Sequence, residues 1–212
     1  MAESLTHGPT LNQIRRALRG PRPGLQAQIR MAPRYRTAKD LLPSHQPKEG
    51  GVLILLYPKD GQLYLVLTRR TETVADHKGQ ISLPGGAYEA GDGSLEETAL
   101  RETREELGID LQGLEVLGAL TPLYIPRSDY RIYPYVASCP ERPAFHPDPV
   151  EVAELLEVPL ATLLDPATWR EEDWEVRGMT VRVPFFQVGH HKVWGATAMV
   201  LSELVTLLRG VR

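Results

Sequence analysis

Three glutamates lie close together in the segment from Ser94 to Ile109, and their spacing could hold a metal ion. Glu102, Glu105 and Glu106 would share one face of a helix, because residues three and four positions apart lie on the same side. Each such like-charge pair costs a helix about 0.2–0.5 kcal/mol. Carboxylate oxygens are also the protein ligands that Mg²⁺ takes, together with water and substrate phosphates. The cluster therefore indicates a divalent-metal site.

The alternative interpretation is an ordinary solvated helix face, on which ion pairs offset the repulsion among the glutamates. Glu97 and Arg101, and also Arg101 and Glu105, are spaced for such pairs. Gly85 and Gly86 favour the metal site, because they precede the helix and let backbone approach a ligand where a side chain would obstruct it.

The sequence also predicts where this helix begins and ends. Ser94 and Glu97 form the S-x-x-E pattern of a capping box, in which each side chain accepts a hydrogen bond from the other residue's backbone N–H. Gly108 is a typical helix stop. The face that should enter the core consists of Ala99, Leu100, Thr103 and Leu107.

The same segment resembles the Nudix box, usually written GX5EX7REUXEEXGU with U aliphatic. Its second half matches at Arg101, Glu102, Glu105, Glu106, Gly108 and Ile109. Two features depart from the pattern. Thr103 stands where an aliphatic residue is usual. Asp92 replaces the usual glutamate with five residues between it and Gly86, and eight rather than seven residues separate it from Arg101.

The longer loop and the segment from Leu65 to Gly86 resemble the coenzyme A pyrophosphatase branch of that family, whose extra motif reads roughly LLTxR[SA]x3Rx3Gx3FPGG. The residues in register are Leu67, Thr68, Arg70, Gly79, Pro84, Gly85 and Gly86. Three positions differ: Thr71 replaces a small residue, Leu83 replaces Phe, and Ala75 replaces an arginine. Because the motif arginine is missing at Ala75, other diphosphate substrates remain alternatives to coenzyme A.

This resemblance implies an α/β protein, a Nudix α/β/α sandwich with a mixed sheet over residues 49–212, preceded by a basic N-terminal extension over residues 1–48. It implies that Glu102, Glu105 and Glu106 are catalytic residues that bind Mg²⁺ or Mn²⁺. It also implies that Arg101 takes part in catalysis by orienting these carboxylates through ion pairs.

The resemblance also implies that the substrate is bound by Arg70, Gly85 and Gly86. Arg69 and Arg70 end a predicted strand beside the glycine turn, where a guanidinium could grip phosphate with two hydrogen bonds. Arginines at strand ends are also commonly just solvated. The family motif favours Arg70 as the phosphate ligand.

The expected reaction follows from charge. A pyrophosphate bridge repels an incoming hydroxide, and bound metal can neutralise its oxygens and acidify the attacking water. The leading substrate is coenzyme A or a derivative, giving 3′,5′-ADP and 4′-phosphopantetheine. The alternatives are ADP-ribose or a dinucleotide, and a non-catalytic Nudix-like module that binds a nucleotide or RNA. The intact glutamates argue against the module.

The general base stays open, because Nudix enzymes differ in where it resides. Glu102 is one candidate, and Glu151 and Glu154 in a later loop are two others. An ordinary solvated turn is the competing interpretation of Glu151 and Glu154.

Composition limits the partners. The chain has 212 residues and a net charge of −3, with a pI near 6.1, which argues against a nucleic-acid or membrane surface. The lone Cys139 excludes an internal disulfide framework and fits a reducing cytoplasm. No apolar run approaches the ~18 residues of a membrane span, and no basic-then-apolar leader opens the sequence. We expect a soluble, cytoplasmic protein with a small nucleotide substrate.

The first 49 residues are basic, with nine Lys and Arg residues against three acids. Thr10 could cap a helix with an apolar stripe of Leu11, Ile14 and Leu18. The Pro-rich stretch from Pro21 to Pro47 predicts an extended arm. The arm is either simply solvated or supplies arginines to an anionic substrate or partner.

The remaining elements are predicted from periodicity and turn residues. Strands are expected at 51–57 and 62–68 around an Asp60-Gly61 turn, and at 114–120, 132–138 and 181–186. An acidic turn should precede a helix at 160–164, and a longer helix should cover 196–208.

Two other groups of residues are open to interpretation. His190 and His191 have no third ligand at metal spacing, so we expect a solvent-facing loop and no zinc. His77 and Lys78 fit either the site or a polar loop. The tryptophans are expected in the core or at its rim, with stacking on adenine as the alternative for one of Trp169, Trp174 and Trp194.

Overall fold

The computed structural model describes residues 8–71, 79–176 and 178–210. Its α-helices are α1 Leu11–Arg19, α2 Leu25–Gln28, α3 Leu95–Leu107, α4 Leu160–Leu164 and α5 Gly195–Arg209. Short 3₁₀ turns cover Ile29–Met31, Ala38–Leu41 and Pro166–Thr168. None of the helices in these described ranges has the length and apolar character needed to cross a membrane.

The strands form two sheets. They are β1 Lys48–Lys59, β2 Gln62–Arg70, β3 Ile81–Ser82, β4 Gly85–Ala87, β5 Glu115–Ala119, β6 Leu123–Ile125, β7 Tyr130–Ser138, β8 Val152–Pro159, β9 Trp169–Val176, β10 Met179–Val188 and β11 His191–Trp194. The larger sheet runs β3-β2-β1-β7-β5, with β4 paired to β1, β6 to β7 and β8 to β2. The smaller sheet runs β11-β10-β9.

The β1–β2 hairpin forms where the sequence predicts it. Asp60 and Gly61 have φ of 49° and 76°, the left-handed values that a two-residue hairpin turn of type I′ requires. The predicted strands at 114–120, 132–138 and 181–186 overlap β5, β7 and β10. The predicted helices at 160–164 and 196–208 are α4 and α5.

Strand β1 is buried on both faces, because it lies in the middle of the sheet. Leu53 and Leu55 belong to one apolar cluster together with Leu107 of α3. Ile54 and Leu56 belong to the opposite cluster, which includes residues of α1 and α5. Strand β1 pairs with β7 in parallel and with β2 and β4 antiparallel. The predicted mixed α/β architecture is therefore confirmed.

The N-terminal helix is confirmed, but the prediction of an extended arm over Pro21–Pro47 is wrong. Thr10 caps α1 with a full capping box to Gln13. Beyond α1, the chain folds through α2 and two 3₁₀ turns, and Ala27 and Met31 are buried. Apolar residues spaced among the prolines are covered by α5, a partner far away in sequence.

A buried carboxylate ties this segment to the rest of the fold. Glu203 of α5 is 0% exposed. It accepts hydrogen bonds from the Gly24 N–H at 3.1 Å and from Gln28 Nε2 at 2.9 Å. It also accepts from the Thr121 N–H at 3.1 Å and from Thr121 Oγ1 at 2.7 Å. These bonds link the N-terminal segment to the connection between β5 and β6.

Sequence patterning missed three strands of four or more residues. The acidic turn predicted before α4 ends at Glu151, and β8 follows, with Leu156 opposite Leu67 of β2. Strand β9 is WREEDWEV, which shows no apolar alternation, and its strand conformation comes from pairing with β10. Strand β11 is only four residues long. All three segments adopt strand conformation because they pair with other strands, which local sequence patterns do not reveal.

Candidate active site

Helix α3 carries the predicted acidic face, and its ends are fixed largely as predicted. Ser94 Oγ accepts a hydrogen bond from the Glu97 N–H at 3.1 Å. The reciprocal half of the capping box is replaced, because Glu97 Oε2 accepts from the Gly93 N–H at 2.9 Å. Gly108 ends the helix with φ of 60°, a left-handed conformation that suits glycine.

The departure at Thr103 from the Nudix pattern has a local explanation. The Thr103 side chain is buried, and its Oγ1 donates a hydrogen bond to the Ala99 carbonyl at 2.6 Å. The hydroxyl is therefore satisfied within the helix, and the methyl group faces the core as an aliphatic residue would.

Close contact between α3 and the sheet requires glycine at two positions. A Cβ on Gly51 of β1 would lie 2.3 Å from the Leu95 carbonyl oxygen. A Cβ on Gly86 of β4 would lie 2.4 Å from the carboxyl carbon of Glu102. Absence of a side chain at Gly86 thus lets the Glu102 carboxylate rest against the β4 backbone.

Arg101 connects the loop to the acidic face. Its Nε and Nη2 bind the two oxygens of Asp92 at 2.8 and 3.0 Å. Its Nη1 lies 2.9 Å from Glu102 Oε1 and 3.2 Å from Glu105 Oε2, and Nη2 donates to the Ala87 carbonyl. The bond from Arg101 holds the pKa of Asp92 below its ordinary range. Asp92, in place of the usual glutamate, thereby fixes the guanidinium.

Glu106 is the most unusual of the three acids. Its side chain is 4% exposed, and Oε1 lies 3.5 Å from Nη1 of Arg70. Within the described residues, Glu106 Oε2 and Arg70 Nε are buried without a hydrogen-bond partner. Burial raises the pKa of Glu106 to about 8, against the lowering effect of Arg70, and Glu151 and Glu102 raise it further. A buried acceptor without a partner is costly unless a cation occupies the site.

The other two acids differ from Glu106 in exposure. Glu102 is 18% exposed, and burial raises its pKa against the lowering effect of Arg101. Glu105 is 54% exposed and lies at the solvent edge. The three carboxylates share one helix face, as predicted, but they run from buried to exposed along it. Oxygen donors with retained solvent access suit a hard divalent cation, so these residues fit one.

The structure separates the two loop candidates for a general base. Glu151 acts electrostatically on both Glu102 and Glu106, raising the pKa of each. Glu154 instead binds Arg69 Nε at 2.9 Å and His191 Nε2 at 3.1 Å. The structure therefore brings Glu151 to the acidic face, whereas Glu154 belongs to a different cluster.

The acidic site adjoins a largely apolar chamber of about 380 Å³. Arg70, Gly85 and Gly86, the predicted substrate residues, line it together with β3 and the start of α5. Tyr35 and Arg36 from the N-terminal segment and Arg127 from the β6–β7 loop also line it. The sequence analysis did not single out these three residues, because only the fold brings them close to the acidic helix α3. The predicted basic extension thus contributes to the chamber wall.

The tryptophans lie in the smaller sheet and beside the chamber. Trp194 lines the chamber, and its ring packs edge-on against Trp174 with centroids 5.1 Å apart. Arg30 lies over the Trp169 ring at 5.3 Å. Trp194 is therefore the tryptophan placed for contact with a ligand in the chamber.

The expectation that His190 and His191 lack a third ligand is wrong. Glu154 lies beside them, and one ligating atom from each of the three falls within 4.8 Å of the others. Strand β8 supplies Glu154, and this strand was missing from the sequence prediction. Ala75, His77 and Lys78 lie outside the described residues.

Comparison with known proteins identifies the family. The NUDIX domain model matches residues 47–177. The chain is 39% identical over 140 residues to an uncharacterised Nudix hydrolase, NudL, of Photorhabdus laumondii, covering 66% of this chain and 74% of that protein. It is 37% identical over 166 residues to NudL of Pectobacterium atrosepticum, covering 77% and 84%. The chain belongs to the Nudix family and is a Nudix hydrolase.

Among solved structures, a Nudix hydrolase from M. smegmatis, RenU, is 22% identical to this chain with a TM-score of 0.47. The match covers 55% of this chain and 73% of that one. Nudix hydrolases generally use divalent metal ions, and the acidic face of α3 offers the oxygen donors for them.

Proposed function

We propose that this Nudix hydrolase cleaves the pyrophosphate bond of a nucleoside diphosphate linked to another group, with Mg²⁺ or Mn²⁺ as cofactor. Coenzyme A or a derivative is the leading substrate, and the products are 3′,5′-ADP and 4′-phosphopantetheine. One observation carries the proposal. Glu106 Oε2, which is buried and has no hydrogen-bond partner in the described part of the chain, lies on the same helix face as Glu102, beside the glycine turn that lines the chamber.

Within this proposal, Glu102, Glu105 and Glu106 hold the divalent ion. That ion would neutralise the diphosphate oxygens and lower the pKa of water. Arg101 fixes the carboxylates, because its guanidinium group donates hydrogen bonds to Asp92, Glu102 and Glu105. The buried state of Glu106 matters here, because its raised pKa falls again when a cation stabilises the carboxylate.

Arg70 is placed to bind a phosphate group. Its Nη1 faces Glu106, and its Nε is buried with no hydrogen-bond partner among the residues that the structure describes. A phosphate oxygen at the chamber edge would satisfy that donor, and Arg–phosphate contacts are commonly bidentate. Arg70 lines the same chamber as Gly85 and Gly86, so one substrate could contact all three residues.

We assign the proton-accepting role to Glu151. Glu102 is held by Arg101, and Glu154 is held by Arg69 and His191. Glu151 lies near the box without belonging to α3. If Glu151→Gln lowers turnover while divalent-ion binding is unchanged, the assignment holds. Unchanged turnover would return the role to Glu102.

The apolar character of the chamber supports a substrate with a long, mostly uncharged arm. The chamber wall combines Tyr35, Ile132 and Met199 with the arginines Arg36 and Arg127. An adenosine phosphate needs cationic and aromatic groups, and a pantetheine arm needs apolar wall. Both kinds of surface are present in one cavity of the size of a small-molecule site.

A direct assay tests the substrate. The purified full-length chain is incubated with Mg²⁺ or Mn²⁺ and coenzyme A, and mass spectrometry is used to look for 3′,5′-ADP and 4′-phosphopantetheine. We expect both products in equal amounts, and neither in the presence of EDTA. Absence of both products with either metal would overturn the coenzyme A assignment.

ADP-ribose or a dinucleotide is the second candidate, favoured by Ala75 in place of the motif arginine. A competition panel with coenzyme A, ADP-ribose and NADH decides between them. A kcat/KM for ADP-ribose or NADH at least about tenfold above that for coenzyme A, about 1.4 kcal/mol in transition-state binding, would reassign the substrate. Salt-dependent RNA binding with no turnover of any diphosphate would instead favour a binding module.

A further inference from the structure

A second group of potential metal ligands lies apart from the acidic face of α3. It consists of Glu154 on β8 and the adjacent His190 and His191 at the β10–β11 turn. Arg70 contacts Glu106, whereas the neighbouring Arg69 contacts Glu154. The two groups therefore share no carboxylate.

The backbone of the histidine turn is fixed by its own hydrogen bonds. Gly189 adopts φ of 56°, and Val188 pairs with His191 across the hairpin. Gln187 Nε2 donates to the Gly189 carbonyl at 2.8 Å and to the His191 carbonyl at 3.1 Å. As a result the two imidazole rings lie against each other, with centroids 3.8 Å apart. Adjacent residues of a regular strand would point to opposite faces.

The carboxylate of Glu154 is also held in place. Arg69 Nε binds its Oε2 at 2.9 Å, which leaves Oε1 facing His191 Nε2 at 3.1 Å. Two ligands of one tetrahedral zinc ion, each bonded at about 2.0–2.2 Å, lie about 3.3 Å apart. Glu154 and His191 therefore already have the spacing of two ligands on one ion, and Arg69 is the outer partner that orients the carboxylate.

We propose that Glu154, His190 and His191 form a binding site for Zn²⁺, distinct from the divalent-ion site of the Nudix box. Imidazole nitrogen selects Zn²⁺ and related transition metals, whereas Mg²⁺ prefers sites made of oxygen. His190 is exposed, so its side chain can rotate inwards to complete a three-ligand set. Water or an anion takes the fourth position. The positive charge of Arg69 should make this site weaker than a closed four-ligand zinc site.

The test uses the full-length chain without a histidine tag, in a large excess of Mg²⁺ that occupies oxygen-only sites. Zn²⁺ is titrated against a coloured chelator. We expect one equivalent bound, with affinity reduced at least about tenfold in His191→Ala and Glu154→Gln, because losing a ligand should cost no less than losing an outer partner. Because His190 is exposed, His190→Ala repeats the test without disturbing the buried core, and circular dichroism confirms folding of each variant.

The matched control is His45→Ala. His45 Nε2 lies 2.8 Å from Asp129 Oδ1, so it forms a histidine–carboxylate pair without a second adjacent histidine. This variant should bind Zn²⁺ as the unmodified chain does. Co²⁺ should give the visible absorption of a tetrahedral site in the unmodified chain and lose it in His191→Ala. The proposal would be overturned if the unmodified chain bound no Zn²⁺ in excess Mg²⁺. It would also be overturned if the folded His190→Ala and His191→Ala variants bound Zn²⁺ as tightly as the unmodified chain.

Discussion

Two buried glutamates on two helices illustrate opposite uses of the same side chain. Glu203 of α5 is 0% exposed, and its oxygens receive hydrogen bonds from Gly24, Gln28 and Thr121. Glu106 of α3 is 4% exposed, yet its Oε2 has no hydrogen-bond partner within the described part of the chain. A satisfied buried carboxylate holds a fold together. An unsatisfied one costs stability and needs another explanation, which the proposed metal site provides.

The difference arises from what surrounds each carboxylate. Around Glu203, three neutral residues donate hydrogen bonds, and two of them come from the N-terminal segment. Around Glu106 lie two further acids, Glu102 and Glu151, together with Arg70 and the backbone N–H of Gly85. Repulsion among carboxylates is unfavourable in the metal-free protein, and a divalent ion would remove it.

The largest expected effect is on activity. Glu106→Gln keeps the size of the side chain but removes its charge, so turnover of the diphosphate substrate should fall at least about a thousandfold, about 4 kcal/mol. Turnover by the Glu105→Gln variant should also fall by orders of magnitude. Neither substitution should lower stability, because each relieves like-charge repulsion in the metal-free protein. Steady-state kinetics and thermal unfolding measure the two effects.

Near-normal turnover of either variant at saturating Mg²⁺ would contradict the assignment of these glutamates. Loss of activity that is explained by unfolding would contradict it equally. Glu97→Gln on the same helix is a control, because Glu97 bonds the Gly93 backbone rather than the acidic cluster.

Glu203→Ala should show the opposite behaviour, a loss of stability. The substitution leaves the donors of Gly24, Gln28 and Thr121 without their acceptor, so the free energy of unfolding should fall by about 3 kcal/mol. Ser202→Ala, which removes one hydrogen bond to the Ala27 carbonyl, should cost about 1 kcal/mol. Urea unfolding measures both. A loss for Glu203→Ala no larger than for Ser202→Ala would remove the distinction between the two glutamates.

Gly86→Ala tests whether the position of Glu102 matters more for activity than for folding. The new Cβ would collide with the end of a flexible side chain, so the Glu102 carboxylate should move with little loss of stability. We expect turnover to fall about thirtyfold, about 2 kcal/mol. In Gly51→Ala the collision is with backbone of α3, so that variant should lose stability. Equal thermal shifts in the two variants would contradict this reading.

The last expected effect is the pH dependence of stability in the metal-free protein. Glu106 has a pKa of about 8 when folded, above the value of about 4.3 in an unfolded chain. Between these values the folded state holds a proton that the unfolded state has released, so stability falls as pH rises. Between the two pKa values the slope from this group should approach about 1.4 kcal/mol per pH unit, and Glu106→Gln should flatten it. A slope unchanged by the substitution would show that Glu106 is not the group responsible.

Local sequence signals predicted α3, the β1–β2 hairpin and the acidic face, because caps, turn residues and 3.6-residue spacing act within a few positions. The role of Asp92 in fixing Arg101 could be inferred only in part, since the box pattern places an acid there without naming its partner. Strands β8 and β9 were missed because their conformation depends on pairing with β2 and β10. The Pro-rich segment was misread because its covering helix, α5, lies at the other end of the chain.

The chamber wall and the histidine cluster could not be predicted for the same reason, because their residues are distant from one another in sequence. Tyr35 and Arg36 meet Arg127 only when the N-terminal segment packs beside β6 and β7. Glu154 meets His191 only because β8 pairs with β2 and the smaller sheet lies alongside. Neither group has a signature in local spacing. Long-range packing therefore determines what the site can recognise, whereas the local motif determines what chemistry it can perform.

The most direct test of the account counts divalent ions at the box. Electron paramagnetic resonance measures free Mn²⁺ during titration of the unmodified chain, Glu106→Gln and Glu203→Gln, each checked for folding by circular dichroism. The account predicts that Glu106→Gln binds Mn²⁺ at least about tenfold more weakly than the unmodified chain, while folded Glu203→Gln binds it equally well. Equal Mn²⁺ affinity in the unmodified chain and folded Glu106→Gln would contradict the claim that the unpaired oxygen of Glu106 is a cation ligand.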